Sequence, residues 1–427
     1  MIVYGEMQKN EELFGLSVSK ITNSLSAYSA VTTIAADVLK GVANNLQGNI
    51  QMIIEANSGQ FFNKSALAKA KAFYASNIPS MLADFGKRTP ESFVGKLVEL
   101  YDGLQGSFVD QYGKTVTNSV AIKLMSTDTL FFNQHFGEHE IQISGMLALM
   151  SSTFVIDKAT GEKISLLEAH QKYDTIKEIY DKTDFTEKKR QNFQNRLHAL
   201  NKRMHGVYNS FDMGTAQRFA LGRLAVMYRK HLVPGYKRRF KGLSMDQELG
   251  TFTEGFYNTF WKTFLKDAIT FKWNNIQNWS TYTAFEKAQT KRVIAEISII
   301  LTTAALVSIL TSMGDDDDEL KESYMYNFVL YEMIRMNSET AAYISPRDAY
   351  RVVKSPSAMT GTLERAIKFT DQFFLTWDPE KLEYQRKQGV WEKGDNKSWA
   401  YFLKLMGYSG YNIKPEAAVE SFKGILK

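Results

Sequence analysis

From Ile297 to Met313 the chain runs for 17 residues without a charge. Lys291-Arg292 stand before this stretch, and Gly314 with the acids Asp315 to Glu319 closes it. A helix that is apolar all round must be covered, either by protein or by lipid. A bilayer-spanning helix takes about 20 apolar residues, with ~17 as the lower limit. Ser298, Thr302, Thr303, Ser308, Thr311 and Ser312 are tolerable in lipid, because a helical hydroxyl bonds back to the preceding turn. Two readings stand: a membrane helix whose Lys/Arg end stays cytoplasmic, or the core helix of a large soluble bundle. The pattern predicts one helix from Thr281 to Met313. Its second half is expected to be buried against Phe256, Phe260 and Phe264 until a bilayer takes their place. The acids are expected to stay on the side of entry, with the stretch lying shallow or pairing with Leu320 to Met336 as a hairpin.

Charge is the second constraint. Fourteen Lys and Arg against two acids fall between Glu187 and Lys241, a net of +12, so a chain of net +6 carries −6 elsewhere. Such a block suits an anionic partner, either DNA or lipid headgroups, and reads equally as a solvated, charged linker. Its candidate phosphate-binding residues are Arg196, Lys202, Arg203, Arg218, Arg223, Arg229, Lys230, Lys237, Arg238 and Arg239. Phe211, Phe219, Tyr228 and Tyr236 are interleaved with them, as base stacking or a membrane-surface helix would require. No nucleic-acid fold signature accompanies them.

The seven prolines leave long gaps, as between Pro90 and Pro234, and 3.6-residue periodicity fills those gaps with helix. Helices are expected at Leu25–Ala56, Ser65–Tyr74, Pro90–Leu104, Glu138–Ser151, Arg190–Met204 and Ala216–Lys230. Val233-Pro234-Gly235 reads as a turn. Ser244 with Gln247 reads as a capping box opening an aromatic helix through Phe252, Phe256, Phe260, Trp261, Phe264 and Phe271. Further helices are expected over Leu320–Met336, near Pro346 and after Pro356, with a polar, turn-rich tail from Trp377. Thr153-Phe154-Val155-Ile156 and Lys163-Ile164-Ser165-Leu166, around a loop ending at Gly161, read as one short β-hairpin near 153–166 that must pack on helices. The fold expected is mostly α, an elongated multi-helix assembly. It divides into a helical segment 1–180, a basic segment 181–243, an aromatic and apolar segment 244–343 and a tail 344–427.

Catalytic signals are sparse. Absence of cysteine removes thiolate catalysis, disulfides and Cys-ligated metals. No P-loop, G-x-G-x-x-G or G-x-S-x-G occurs. His135-Phe136-Gly137-Glu138-His139 matches H-x-x-E-H, in which His135 and His139 would hold a metal and Glu138 would act as base. Gly137 weakens the helix it needs, and no third ligand is evident. Asp315 to Asp318 lack calcium-loop spacing and read as a solvated helix end. No cofactor is expected. The start, Met1 to Glu6, lacks a basic segment followed by an apolar core, so no secretory leader is expected, and the chain is equally readable as an internal piece of a longer polypeptide.

Three stretches carry a resemblance. One is His198-Ala199-Leu200-Asn201-Lys202-Arg203-Met204-His205-Gly206, continuing through Gly222-Arg223-Leu224-Ala225-Val226-Met227-Tyr228-Arg229-Lys230 to Phe240. The others are Gly137-Glu138-His139-Glu140-Ile141-Gln142, and Arg335-Met336-Asn337-Ser338-Glu339-Thr340 with Lys354-Ser355-Pro356-Ser357-Ala358. Together they resemble very large virion-associated proteins of crAss-like and related tailed phages of gut Bacteroidetes, over about residues 130 to 360. The resemblance implies a structural or cargo protein of the capsid or tail, delivered into the host with DNA, and carries no catalytic residues. The expected partners are therefore other virion proteins, DNA and the host membrane. The expected location is the virion, then the host envelope after ejection. The competing expectations are a nucleic-acid-binding module over 188–241 and a metal-dependent hydrolase.

Overall fold

The computed structural model describes residues 12–13, 16–17, 38–84, 90–104, 132–205, 232–246, 249–272, 279–316, 324–345 and 370. Helix accounts for 74% of them, so the chain is mostly α-helical. The sequence-expected helices Ala216–Lys230 and those beyond Pro346 lie outside the described residues, as do the tail and the first part of Leu25–Ala56.

After a two-residue pair, β1 (Glu12–Leu13) with β2 (Leu16–Ser17), come α1 (Val38–Ser58), α2 (Lys64–Ala83), α3 (Phe93–Tyr101) and α4 (Phe132–Ser152). Asn63 starts α2 by accepting from the Ala66 amide at 2.9 Å, and Ser92 starts α3 by accepting from Gly95 at 3.1 Å. The second helix continues past Tyr74 and takes Pro79 inside it. Helix α4 is the centre of the core. Ile141, Ile143, Met146, Leu147, Ala148, Leu149 and Met150 are all buried, on every side of the helix, because α1 and α2 pack against it and α7 (Glu187–His205) joins them. That all-round burial explains why α4 reads as an apolar run rather than an amphipathic stripe.

The expected hairpin is β3 (Phe154–Ile156) with β4 (Lys163–Ser165), in the register Val155↔Ile164. Val155 faces the core while Phe154 and Ile156 face out, the two-residue alternation of a half-covered pair. Ser165 then caps α5 (Leu166–Lys172) in a full capping box with Glu168, and α6 (Ile176–Lys182) leads to α7. Asp157, at the hairpin's end, accepts from Lys172 (2.6 Å) and Tyr173 (2.8 Å), contacts that hold its carboxyl well below the usual range and tie the turn to α5.

Beyond α7 the sequence reading needs two corrections. Val233-Pro234-Gly235 is not a turn: it lies in α8 (Leu232–Phe240). Proline fits there because the first-turn amides have no intrahelical partner. Ser244 does not open a helix either. Residues Ser244–Asp246 (β5) pair with Thr251–Thr253 (β6), Met245 opposite Phe252. Asp246 makes that turn locally, its side chain accepting from Leu249 (3.1 Å) and its carbonyl from Gly250 (2.8 Å), with Gly250 at φ 62°. The aromatic helix starts later: α9 (Phe256–Phe260) runs through a π-helical turn, Trp261–Leu265, into α10 (Lys266–Ile269). The long helix α11 (Ala284–Asp316) follows, opened by Thr283 and Glu286, which exchange side-chain and backbone hydrogen bonds at 3.2 and 2.8 Å. Helix α12 (Tyr324–Ala341) packs against it.

Gly255 sets the joint between α8 and α9. A Cβ there would lie 2.4 Å from the Arg239 carbonyl oxygen and 2.7 Å from the Lys241 nitrogen, backbone atoms that cannot step aside. Nothing lies within 4 Å of a Cβ built on Gly242. Gly255→Ala is therefore expected to cost about 1–3 kcal/mol in urea unfolding, and Gly242→Ala to change stability by less than about 0.5 kcal/mol.

Candidate membrane-contacting hairpin and its buried anchor

The first half of α11 is fixed by two buried ion pairs one helical turn apart. Arg292 donates from Nε to both Glu55 oxygens at 3.2 Å and from Nη2 to Glu55 Oε2 at 2.6 Å. Its remaining donors reach Gln289 Oε1 at 2.7 Å and Gln60 Oε1 at 2.6 Å. Four residues on, Glu296 accepts from Arg239 through Nε at 3.0 Å and through Nη2, with both side chains only 1% exposed. Arg239 also donates to the Gly235 carbonyl at 3.0 Å and lies 3.7 Å from the centre of the Tyr343 ring. Arg238 stands 3.9 Å from Glu55 and donates to the Arg203 carbonyl at 3.0 Å and to Gln51. Arg203 stands 3.5 Å from Asp246. Helices α1, α7, α8 and α11 and strand β5 thus meet in one charged cluster.

Burial sets the energetics of this cluster. Burial alone pushes the Glu55 carboxyl up, but Arg292, Arg238 and Arg203 outweigh it and hold the group below its ordinary value. Burial, with Arg239 beside it, pulls Arg238 down to about 10. Each buried ion costs several kcal/mol to desolvate, and only its partners offset that cost.

The second half of α11 is arranged differently. A seam at Ile300, Thr303, Val307 and Leu310, spaced by three, four and three residues, is the more covered side. Across it, Asn337 of α12 donates to the Ile300 carbonyl at 2.7 Å and to Thr303 Oγ1 at 2.8 Å, and the Tyr326 hydroxyl donates to the Leu310 carbonyl. Low numbers of one helix meet high numbers of the other, so α11 and α12 form an antiparallel hairpin. The opposite side is bare. Ile297, Leu301, Ala305, Ile309 and Met313 follow at four-residue steps and are exposed, Leu301 to 65% and Ile309 to 55%. Tyr331 and Ile334 of α12 are exposed as well. Only 22% of the most apolar window of α11 is buried. The expectation that Phe256, Phe260 and Phe264 cover this half is corrected by their positions. Phe264 faces Tyr282 at the start of α11, 6.4 Å between ring centres, and Phe256 lies beneath Arg238 and Arg239.

The candidate basic residues fall into separate places. Arg203, Arg238 and Arg239 are interior counter-ions, their guanidinium groups engaged as above, and they present no phosphate-binding face. Arg196 is half-buried and donates to the Gln60 carbonyl at 3.4 Å. Lys202 is half-buried and Lys237 exposed. Arg218, Arg223, Arg229 and Lys230 lie outside the described residues. The H-x-x-E-H segment does fall on a helix, α4. The Glu138 side chain is buried and His139 Nδ1 lies 3.2 Å from the Tyr74 hydroxyl, while the His135 side chain is outside the described residues. Among the described residues no group of three or more metal-capable side chains gathers. The acids at 317–319 are likewise outside the described residues; Asp315 and Asp316 end α11.

The anchor gives two expected outcomes. Arg292→Met strands a buried carboxylate and should cost about 3–5 kcal/mol in urea unfolding, and adding Glu55→Met should restore part of that loss. Because the folded state holds Glu55 below its ordinary value of 4.5, its contribution is fully present above that pH and is lost as pH falls through the folded value. The wild type should therefore lose stability on acidification below about pH 4.5 more steeply than Glu55→Gln. No protein-family model, no curated protein and no solved structure matches the chain.

Proposed function

We propose that this chain is a structural, envelope-contacting protein whose α11–α12 hairpin settles into a lipid bilayer while the rest stays folded outside it. The observation that carries this reading is the bare apolar side of α11 between Ile297 and Met313, on a helix whose other half is bolted down by ion pairs. A surface of that kind must be covered, and a run of 17 uncharged residues is the length at which lipid becomes an adequate cover. At 1.5 Å per residue the run is about 25 Å long, short of a ~30 Å hydrocarbon core. Carrying the acids after Gly314 through the bilayer would cost ~2.5–3.5 kcal/mol for each one centrally placed. Both magnitudes favour a hairpin lying in one leaflet with its acidic tip in the headgroups over a full crossing. The resemblance noted above supplies the setting: a virion-carried protein that meets the host envelope during ejection. The DNA-binding alternative loses its interior arginines and now depends on Arg196, Lys202, Lys237, Arg218, Arg223, Arg229 and Lys230.

Flotation with liposomes tests the reading. The wild type is expected to float with vesicles, and Leu301→Asp or Ala305→Asp, at exposed positions that leave the fold intact, should leave most of the protein at the bottom of the gradient. Equal flotation of all three, or flotation of none, contradicts bilayer contact by α11. Mass spectrometry of purified particles tests the virion setting separately, and absence of the chain from them contradicts it.

A further inference from the structure

A groove of 530 Å³ lies on the far side of Gln60 from the ion cluster, between the start of α2, the end of α4 and the β3–β4 hairpin. Its apolar wall includes Phe61, Phe73 and Phe154, and its polar groups include Lys69, Ser152 and Arg196. Two of these groups are poorly provided for. The Ser152 hydroxyl is buried with no hydrogen-bond partner. Arg196, half-buried, makes one long hydrogen bond of 3.4 Å to the Gln60 carbonyl, and no carboxylate pairs with it among the described residues. Desolvation alone lowers its affinity for the proton.

The other charges in the groove are capped or in solvent, Lys69 being exposed. Glu168 accepts from the Ser165 amide in the α5 capping box, and Lys69 stands near enough to lower its pKa. The Arg196 guanidinium is therefore the half-buried cation of the groove that has no carboxylate beside it among the described residues. A cation withdrawn from water without a counter-charge is costly, and such a position suits a ligand or a counter-ion. A planar guanidinium opposite an aromatic wall also selects a chemistry. The head must be an oxyanion, held by up to two parallel hydrogen bonds. The body must be apolar, to cover the phenyl rings.

We propose that this groove binds a small amphiphilic anion, a carboxylate or phosphate head on Arg196 with an apolar body along Phe61, Phe73 and Phe154. The volume is that of a small-molecule site and admits a chain of about ten carbons. Gln60 connects the groove to the α11 anchor, its carbonyl receiving Arg196 and its side chain Arg292. The groove reading does not depend on bilayer contact by α11.

Isothermal titration of the full chain with decanoate, decanol and inorganic phosphate tests the proposal. Decanoate should bind saturably at or below about 1 mM, and decanol and phosphate each at least about tenfold more weakly. Arg196→Gln should weaken decanoate about tenfold or more, the loss of one charge-assisted contact. Ile309→Asp, on the bare side of α11, should leave the decanoate isotherm unchanged. Undetectable decanoate binding, equal affinity in Arg196→Gln, or decanol binding as tightly as decanoate overturns the proposal. Loss of binding in Ile309→Asp would place the ligand on α11 and overturn it as well. If phosphate alone matches decanoate, the site takes only an anion, and the apolar-body part of the proposal falls.

Discussion

The hydrogen-bonded pair between Glu55 and Arg292 joins residues 237 apart in sequence, and the arrangement of the second half of the molecule depends on it. Glu55 sits near the end of α1, whose neighbour α4 is the centre of the hydrophobic core. Arg292 sits in the first half of α11, so this pair is the joint through which a 33-residue helix is held to the core. Glu296 adds a second fixed point on the same face, which removes rotation of the helix about its axis. The arginines of α7 and α8 add to Arg292 as counter-charge in this joint, so the basic segment serves first inside the protein.

The joint decides what α11 can do. At about 50 Å the helix is long, and among the described residues the α12 seam is the more covered side of it beyond Glu296. The pairing with α12 uses Asn337 and Tyr326 against backbone carbonyls and a threonine hydroxyl, contacts that persist in either water or lipid because they are made within the hairpin. Among the described residues the outer face is exposed instead. A helix rigidly held at one end and apolar at the other presents its surface at a fixed place. That differs from a spanning helix, which needs its ends free to tilt and adjust to bilayer thickness.

Much of the local structure was legible in the sequence, and the parts that were not share a cause. The buried run Ile141 to Met150, the hairpin around Gly161 and the continuity of α11 follow from composition and short-range pattern, which sequence carries directly. The role of Arg203, Arg238 and Arg239 does not, because charge counting registers a block of cations but not the carboxylates Glu55, Asp246 and Glu296 that the fold brings to them from outside the block. The spacing of Arg292 and Glu296, one turn apart just before the apolar run, was the available signal that both charges face one interior. Ser244 misled for a different reason. A serine followed three residues later by glutamine suits a helix cap, but Asp246 and Gly250 complete a tight turn within the same few residues, and the turn wins. The aromatic run is divided too, Phe256 being buried while Phe252, Trp261 and Phe271 are exposed.

The central claim is that the bare side of α11 enters lipid while its anchored half stays outside. The chain contains no cysteine, so single cysteines can be introduced and labelled without interference. The most direct measurement is the emission of an environment-sensitive dye at Leu301→Cys and Ile309→Cys, compared with Lys291→Cys, an exposed position on the anchored half, on adding liposomes. The account predicts a blue shift at 301 and 309 and none at 291. No shift at 301 and 309, or an equal shift at all three positions, would contradict it.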